Sequence, residues 1–326
     1  MKYWLGLGLL LVTSLATADD TRERCLLEHL ATSSEATTVG EIKAACAEKV
    51  PATAPAQPPA VVTRRLQEEE SGYGKRYALT PHRINYLLPL SYDQRRPSSA
   101  PFSQDVDASG DHAQKVEAKF QLSFKFPLLL DAFGSDGDLM AGYTQRSFWQ
   151  LYNAPASKPF RETNYEPELW YQYPVNKSVL GWNLVGASVG LNHQSNGRGQ
   201  EFSRSWNRVM GGLVFERGEY AAMLRPWLRI KEDPGTDDNP DINHYMGNFD
   251  LSIGRKFGRH SLDLLLRNNL QGRDNRGAIQ LGWSFPLPNS PRMRGYVQWF
   301  NGYGESLMDY NIHQNTLGVG VQLADW

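Results

Sequence analysis

From about residue 75 onward, apolar and polar side chains alternate with a period of two, and few folds tolerate that pattern for so long. In residues 116–126, Val116, Ala118, Phe120, Leu122, Phe124 and Phe126 share one parity, whereas Glu117, Lys119, Gln121, Ser123 and Lys125 share the other. Successive strand side chains point to opposite faces, so such a run is a strand with one apolar and one charged face. The pattern returns at Leu224, Leu228 and Ile230 against Arg225 and Arg229, and at Leu251 and Ile253 against Asp250 and Ser252. It appears again at Leu281, Trp283 and Phe285 against Gln280 and Ser284, and last at Leu317, Val319, Val321 and Leu323. Twelve such runs centre near residues 87, 121, 144, 169, 187, 211, 226, 250, 264, 281, 297 and 320. Full charges on the polar face suit a barrel lumen, with the apolar face against lipid, and an even count suits a single-chain bacterial barrel. Aromatics near strand ends, as at residues 169–173, Trp206 and residues 297–303, fit interfacial girdles, and the chain stops on Trp326. The expected fold is all-β: a 12-stranded antiparallel transmembrane β-barrel over residues 75–326.

Composition narrows the function. Lys and Arg total 34 against 35 Asp and Glu, which excludes a basic, nucleic-acid-coating surface. Beyond the first 18 residues no stretch approaches the roughly 20 apolar residues of a membrane helix.

Residues 1–18 read as a secretory signal peptide, with basic Lys2, an apolar stretch from Tyr3 to Val12, and Ala16 and Ala18 in A-x-A spacing. Export to an oxidising space follows. The only two cysteines, Cys25 and Cys46, lie in a segment (residues 19–50) that reads as two short helices. Leu26, Leu27 and Leu30 form a helical stripe in the first, and Thr38 with Glu41 has capping-box spacing at the start of the second. A Cys25–Cys46 disulfide stapling the pair is the economical reading; a redox or metal role lacks CxxC spacing and a histidine nearby. Residues 51–74, Pro/Ala-rich and then acidic, read as a linker.

One stretch, residues 190–208, departs from barrel monotony: GLNHQSNGRGQEFSRSWNR. His193 and Ser195, two apart, share a face with Ala187, Val189 and Leu191, and Asn207 shares parity with Val209, Leu213 and Phe215. All three polar groups therefore face lipid, where unpaired polar groups are costly. A pore has no use for them there, whereas an enzyme acting on membrane lipid does. Ser195 would be the nucleophile, His193 the general base and then acid, and Asn207 the group that fixes the imidazole tautomer. Alone, His-x-Ser says little, and the GxSxG nucleophile elbow is absent. The remaining histidines (29, 82, 112, 244, 260 and 313) read as loop or surface groups, and Asp233, Asp237, Asp238 and Asp241 as a solvated turn or a weak cation site.

The strings NHQSNG…SRSWNR, FRETNYEPEL (160–169), TDDNPDI (236–242) and YGESLMDY (303–310) closely resemble those of the bacterial outer membrane phospholipase A family. The resemblance spans most of residues 75–326 and implies a twelve-stranded outer-membrane barrel with a Ser-His-Asn triad on its outer surface. It further implies calcium-dependent hydrolysis of acyl esters in phospholipids and lysophospholipids, activated by homodimerisation. The family's triad falls on Ser195, His193 and Asn207, and its oxyanion N–H on Gly197. Its calcium ligands fall on the Ser203 hydroxyl, the Arg198 carbonyl and, from the partner subunit, the Ser157 carbonyl. A weaker calcium site retains Asp238, but its second acidic position is Gln200 here. Gln145 falls on a polar position of the family's dimer interface. Two rivals stand beside this reading: a non-enzymatic pore and a lipid acyltransferase.

Overall fold

The computed structural model describes residues 18–32, 37–49, 59–73, 79–98 and 113–323; the expected signal peptide, all but its Ala18, and the terminal Trp326 lie outside these. The chain divides into two compact units, residues 1–58 and 59–326. In the first, helices α1 (Ala18–Thr32) and α2 (Val39–Lys49) are joined by the expected Cys25–Cys46 disulfide, with Cα atoms 5.9 Å apart. The capping box ahead of α2 forms as its spacing requires. The Thr38 amide donates to Glu41 Oε2 at 2.8 Å, and the Glu41 amide to Thr38 Oγ1 at 3.4 Å. The Thr38 amide and hydroxyl, both donating to Oε2, hold the Glu41 carboxyl below its ordinary range. His29, one turn beyond Cys25, lies beside the two sulfurs, contrary to the sequence expectation that no histidine is near. Both sulfurs are committed to the disulfide, so the pair stays structural.

The second unit is a closed barrel of twelve antiparallel strands: β2 (Tyr86–Asp93), β3 (Val116–Leu129), β4 (Asp138–Trp149), β5 (Glu162–Val179), β6 (Trp182–Ser195), β7 (Ser205–Arg217), β8 (Tyr220–Ile230), β9 (Phe249–Phe257), β10 (His260–Asn268), β11 (Gly277–Leu287), β12 (Ser290–Gly302) and β13 (Gln314–Gln322). Each expected centre falls inside its strand. Neighbours in sequence pair in space, and β13 pairs with β2 to close the ring. A two-residue strand, β1 (Thr80–Pro81), pairs with β3. Among the described residues no helix is long and apolar enough to cross a membrane.

At one end four of the five connections are two-residue turns, such as Leu180-Gly181 with φ of 51° and 79°, the double positive φ that matches hairpin twist, and the fifth spans residues 130–137. At the other end lie the long connections, among them residues 150–161, 196–204, 231–248 and 303–313.

The residues read as a linker contain a helix, α3 (Val61–Tyr73), which belongs to the barrel unit. Its local sequence lacks an acidic first turn, so the barrel supplies one. Glu216 Oε2 at the short-turn end accepts the Val62 and Thr63 amides, both at 2.9 Å, in place of a side-chain cap. Glu69, on the last turns of α3, pairs with Lys125 of β3 at 2.8 Å.

Parity decides what faces outward. Val189 (56 % exposed), Leu191 (54 %) and Leu228 (75 %) lie on the outer surface, while Glu117, Lys119, Gln121 and Ser123 are buried inside. Trp206 is not a girdle residue: it is wholly buried in the lumen because it shares parity with Arg208, whose guanidinium lies 4.0 Å over its ring. His82 is not a surface group either. The segment preceding β2 runs along β3, where the Asn85 side-chain Nδ2 donates to the Ser123 carbonyl at 3.0 Å. There the His82 ring meets Glu168 at 2.7 Å and stacks on Trp170.

Two of the strings that carried the family resemblance, residues 160–169 and 303–310, contribute to this lumen. Arg161, with no exposed surface, is held by Glu117 through two bonds of 2.9 and 2.8 Å and by Asp309 at 2.9 Å. Lys119 is paired with Glu305 at 2.5 Å. Removing one partner of a buried ion group leaves a charge without compensation. Arg161→Ala is therefore expected to lower unfolding stability by about 3–5 kcal/mol, measurable by urea titration in lipid bilayers; an unchanged midpoint would contradict the network's importance.

Candidate active site

All the residues singled out from the sequence for chemistry sit at the long-connection end of β4 to β8 or in the loops there. His193 on β6 is the cross-strand partner of Asn207 on β7, and Ser195 is the partner of Ser205. A direct pair of this kind brings Cβ atoms within about 5 Å. Here the contact is made: His193 Nδ1 and Asn207 Oδ1 are 2.8 Å apart. With Oδ1 as acceptor, the proton stays on Nδ1 and Nε2 is left free as a base.

Ser195 lies on the same face, two residues beyond His193, a spacing of about 6–7 Å along the strand. No hydrogen bond joins Ser195 Oγ to the ring in this structure; rotation of the two side chains spans such a gap, and catalytic bonds commonly tighten only with substrate. Val189 and Leu191 on β6, Val209 on β7, and Leu228 and Ile230 on β8 surround the group with exposed apolar surface.

The 196–204 loop is built by one residue that the sequence reading missed. Buried Asn196 accepts the amides of Arg198 (3.2 Å) and Arg204 (3.0 Å) on Oδ1, and its Nδ2 donates to the Phe202 carbonyl at 2.8 Å. An Asn directly after a strand, bonding two residues on, is the available signal for such a turn. Next to it, Gly197 has φ +65°, and a Cβ there would stand 2.9 Å from the Tyr165 ring. Any side chain would thus be strained twice over, and the bare backbone stays open beside Ser195.

On the far side of the loop, Ser203 Oγ donates to Asp238 Oδ2 at 2.5 Å. The sequence reading put these residues in two different sites; the fold brings them together. The Ser203 hydroxyl and the Asp238 carboxylate are hard oxygen donors of the type calcium takes, so this pair fits the ion. The rest of the acidic loop is dispersed, with Asp237 bound to Arg229 at 2.6 Å and Asp241 bound to the Tyr310 hydroxyl. Ser157, also at this end, accepts the Trp149 indole N–H on its carbonyl at 2.9 Å, and a carbonyl has a second lone pair to offer. Gln145 sits outward on β4, its amide donating to Ser147 Oγ at 3.2 Å.

Residues 62–323 match the family model described as phospholipase A1. The chain belongs to the phospholipase A1 family. As a member it is a phospholipase, an ester hydrolase. The phospholipase A1 of Escherichia coli (strain K12) is 40 % identical over 275 residues, spanning 83 % of this chain and 89 % of that protein. Among solved structures, an active-site asparagine-to-alanine mutant of outer membrane phospholipase A from Escherichia coli superposes with a TM-score of 0.72 at 39 % identity, covering 80 % of this chain and 97 % of that one. A Salmonella typhi outer membrane phospholipase dimer with bound calcium gives 0.69 at 39 % identity, covering 77 % and 94 %.

Proposed function

We propose that this chain is a calcium-dependent outer-membrane phospholipase, exported through a cleaved signal peptide, that hydrolyses acyl esters of phospholipids and lysophospholipids with Ser195, His193 and Asn207. The observation that carries it is the His193–Asn207 hydrogen bond on the outer face, among exposed leucine and valine side chains. Satisfied imidazole and amide groups at that depth serve a substrate that arrives from the lipid. The active-site asparagine of the Escherichia coli relative supports the same role for Asn207.

In this reading His193 Nε2 removes the Ser195 proton as Oγ attacks the acyl carbonyl, then returns it to the departing lipid alcohol; water repeats the cycle on the acyl-serine. Asn207 holds the ring so that Nε2 faces the serine. The Gly197 N–H donates to the developing oxyanion. Calcium would be held by the Ser203 hydroxyl and Arg198 carbonyl of one protomer and the carbonyl of Ser157 of the partner subunit, with Asp238 beside Ser203 adding negative charge. Bound calcium supplies positive charge near the oxyanion. A calcium-bound dimer among the structural relatives supports ion and homodimer together, and Gln145 contributes an intersubunit hydrogen bond. The pore reading is disfavoured by the lumen, where the Lys119–Glu305 and Arg161–Asp309 ion pairs tie the 303–313 connection to β3 and to the 150–161 connection.

The test is to incubate the protein with vesicles carrying isotope-labelled acyl chains and to identify both products and adducts by mass. Released fatty acid and an acyl adduct on Ser195 are expected. Acyl chains appearing on other lipids would assign an acyltransferase, and neither product would refute the hydrolase.

A further inference from the structure

The hydrogen-bond chain does not stop at Asn207. While Oδ1 of Asn207 meets His193, its Nδ2 donates to Glu232 Oε1 at 3.3 Å. Glu232 follows Ile230, the cross-strand partner of Asn207, by two residues, at the point where β8 leaves the sheet. The order is therefore imidazole, amide, carboxylate, with the carboxylate partly buried at the edge of the apolar surface.

We propose that Glu232 is a positioning residue that supplies, through Asn207, the negative charge that an amide lacks. Two physical effects follow from this placement. First, a side-chain amide can flip, and the flipped form would set Nδ2 against the imidazole N–H, donor facing donor. A carboxylate on the other side accepts only, so it holds the amide with Nδ2 outward and Oδ1 toward His193. Second, a charged acceptor on Nδ2 polarises the amide and increases the negative charge on Oδ1, strengthening the bond to the imidazolium that forms during catalysis. The neighbouring charges are otherwise occupied: Asp237 is paired with Arg229, and Asp238 is bound to Ser203. Lys231 and Asp233 flank Glu232 in sequence and are exposed.

This inference rests on the triad reading, and the experiment keeps the two apart. Steady-state hydrolysis of a micellar phospholipid is measured for Glu232→Gln, Glu232→Ala, Asn207→Ala and both double variants, with Ser195→Ala alongside. The rate of Ser195 modification by an alkyl sulfonyl fluoride gives a second readout that needs no turnover. Glu232→Gln keeps the side-chain shape and removes the charge, and a drop in kcat of about tenfold at a KM within about twofold is expected from loss of a charge-assisted bond. In the Asn207→Ala background the same change is expected to do nothing to either readout, because the charge acts only through the amide. Wild-type kcat in Glu232→Gln, or an equal loss in both backgrounds, would overturn the proposal. Activity surviving in Ser195→Ala would instead overturn the triad.

Discussion

Ser195→Ala is expected to cut phospholipid hydrolysis by at least about 10³-fold, the scale on which a hydroxyl nucleophile contributes when its base and oxyanion donors stay in place. The barrel itself should be untouched. Ser195 ends β6 on the outer face and is only partly buried, so removing its hydroxyl opens no cavity in the lumen. The loss should therefore appear in kcat, with lipid binding and thermal stability unchanged. Lipid turnover in bilayers, read beside the unfolding midpoint, separates these quantities. A variant that keeps more than a tenth of wild-type activity would place the nucleophile elsewhere.

Calcium removal should have the next largest effect. Ser203, bound to Asp238, lies on the same 196–204 loop as Gly197, and in the proposed reading a cation held there adds positive charge toward the developing oxyanion. Withdrawing one such stabilising charge or donor typically lowers a rate by about 10²-fold. Chelation should produce a loss of that order, calcium should restore the rate, and magnesium should not, because it demands tighter octahedral geometry and dehydrates reluctantly. Ser203→Ala and Asp238→Asn should raise the calcium concentration needed for half-maximal activity. Chemical crosslinking in the same samples reports the dimer. Equal rates with calcium and with chelator would remove the ion from the mechanism.

Much of this protein was legible before any coordinates. Period-two alternation is a local property: each residue declares its face by parity, and all twelve expected strands appear where the pattern put them. The same rule placed His193, Ser195 and Asn207 on the outer surface. The capping box at Thr38 and Glu41 was equally readable, since its bonds span three residues.

The misreadings have two causes. Trp206 was assigned to a girdle from its residue type, although its own parity, opposite to Asn207, sends it inward. His82 and α3 gave no local signal, because what holds them is distant in sequence: Glu168 for the histidine and Glu216 for the helix start.

Alternation by itself determined the architecture and the face of the barrel that carries the polar groups, and it put His193, Ser195 and Asn207 on that one face as candidates to act together. Only the tertiary structure decided what surrounds them: that Asn196 shapes the 196–204 loop, that Asp238 comes to Ser203, and that Glu232 backs Asn207. Parity sets direction residue by residue, but the meeting of two loops depends on ring closure and strand register, which no single stretch of chain encodes.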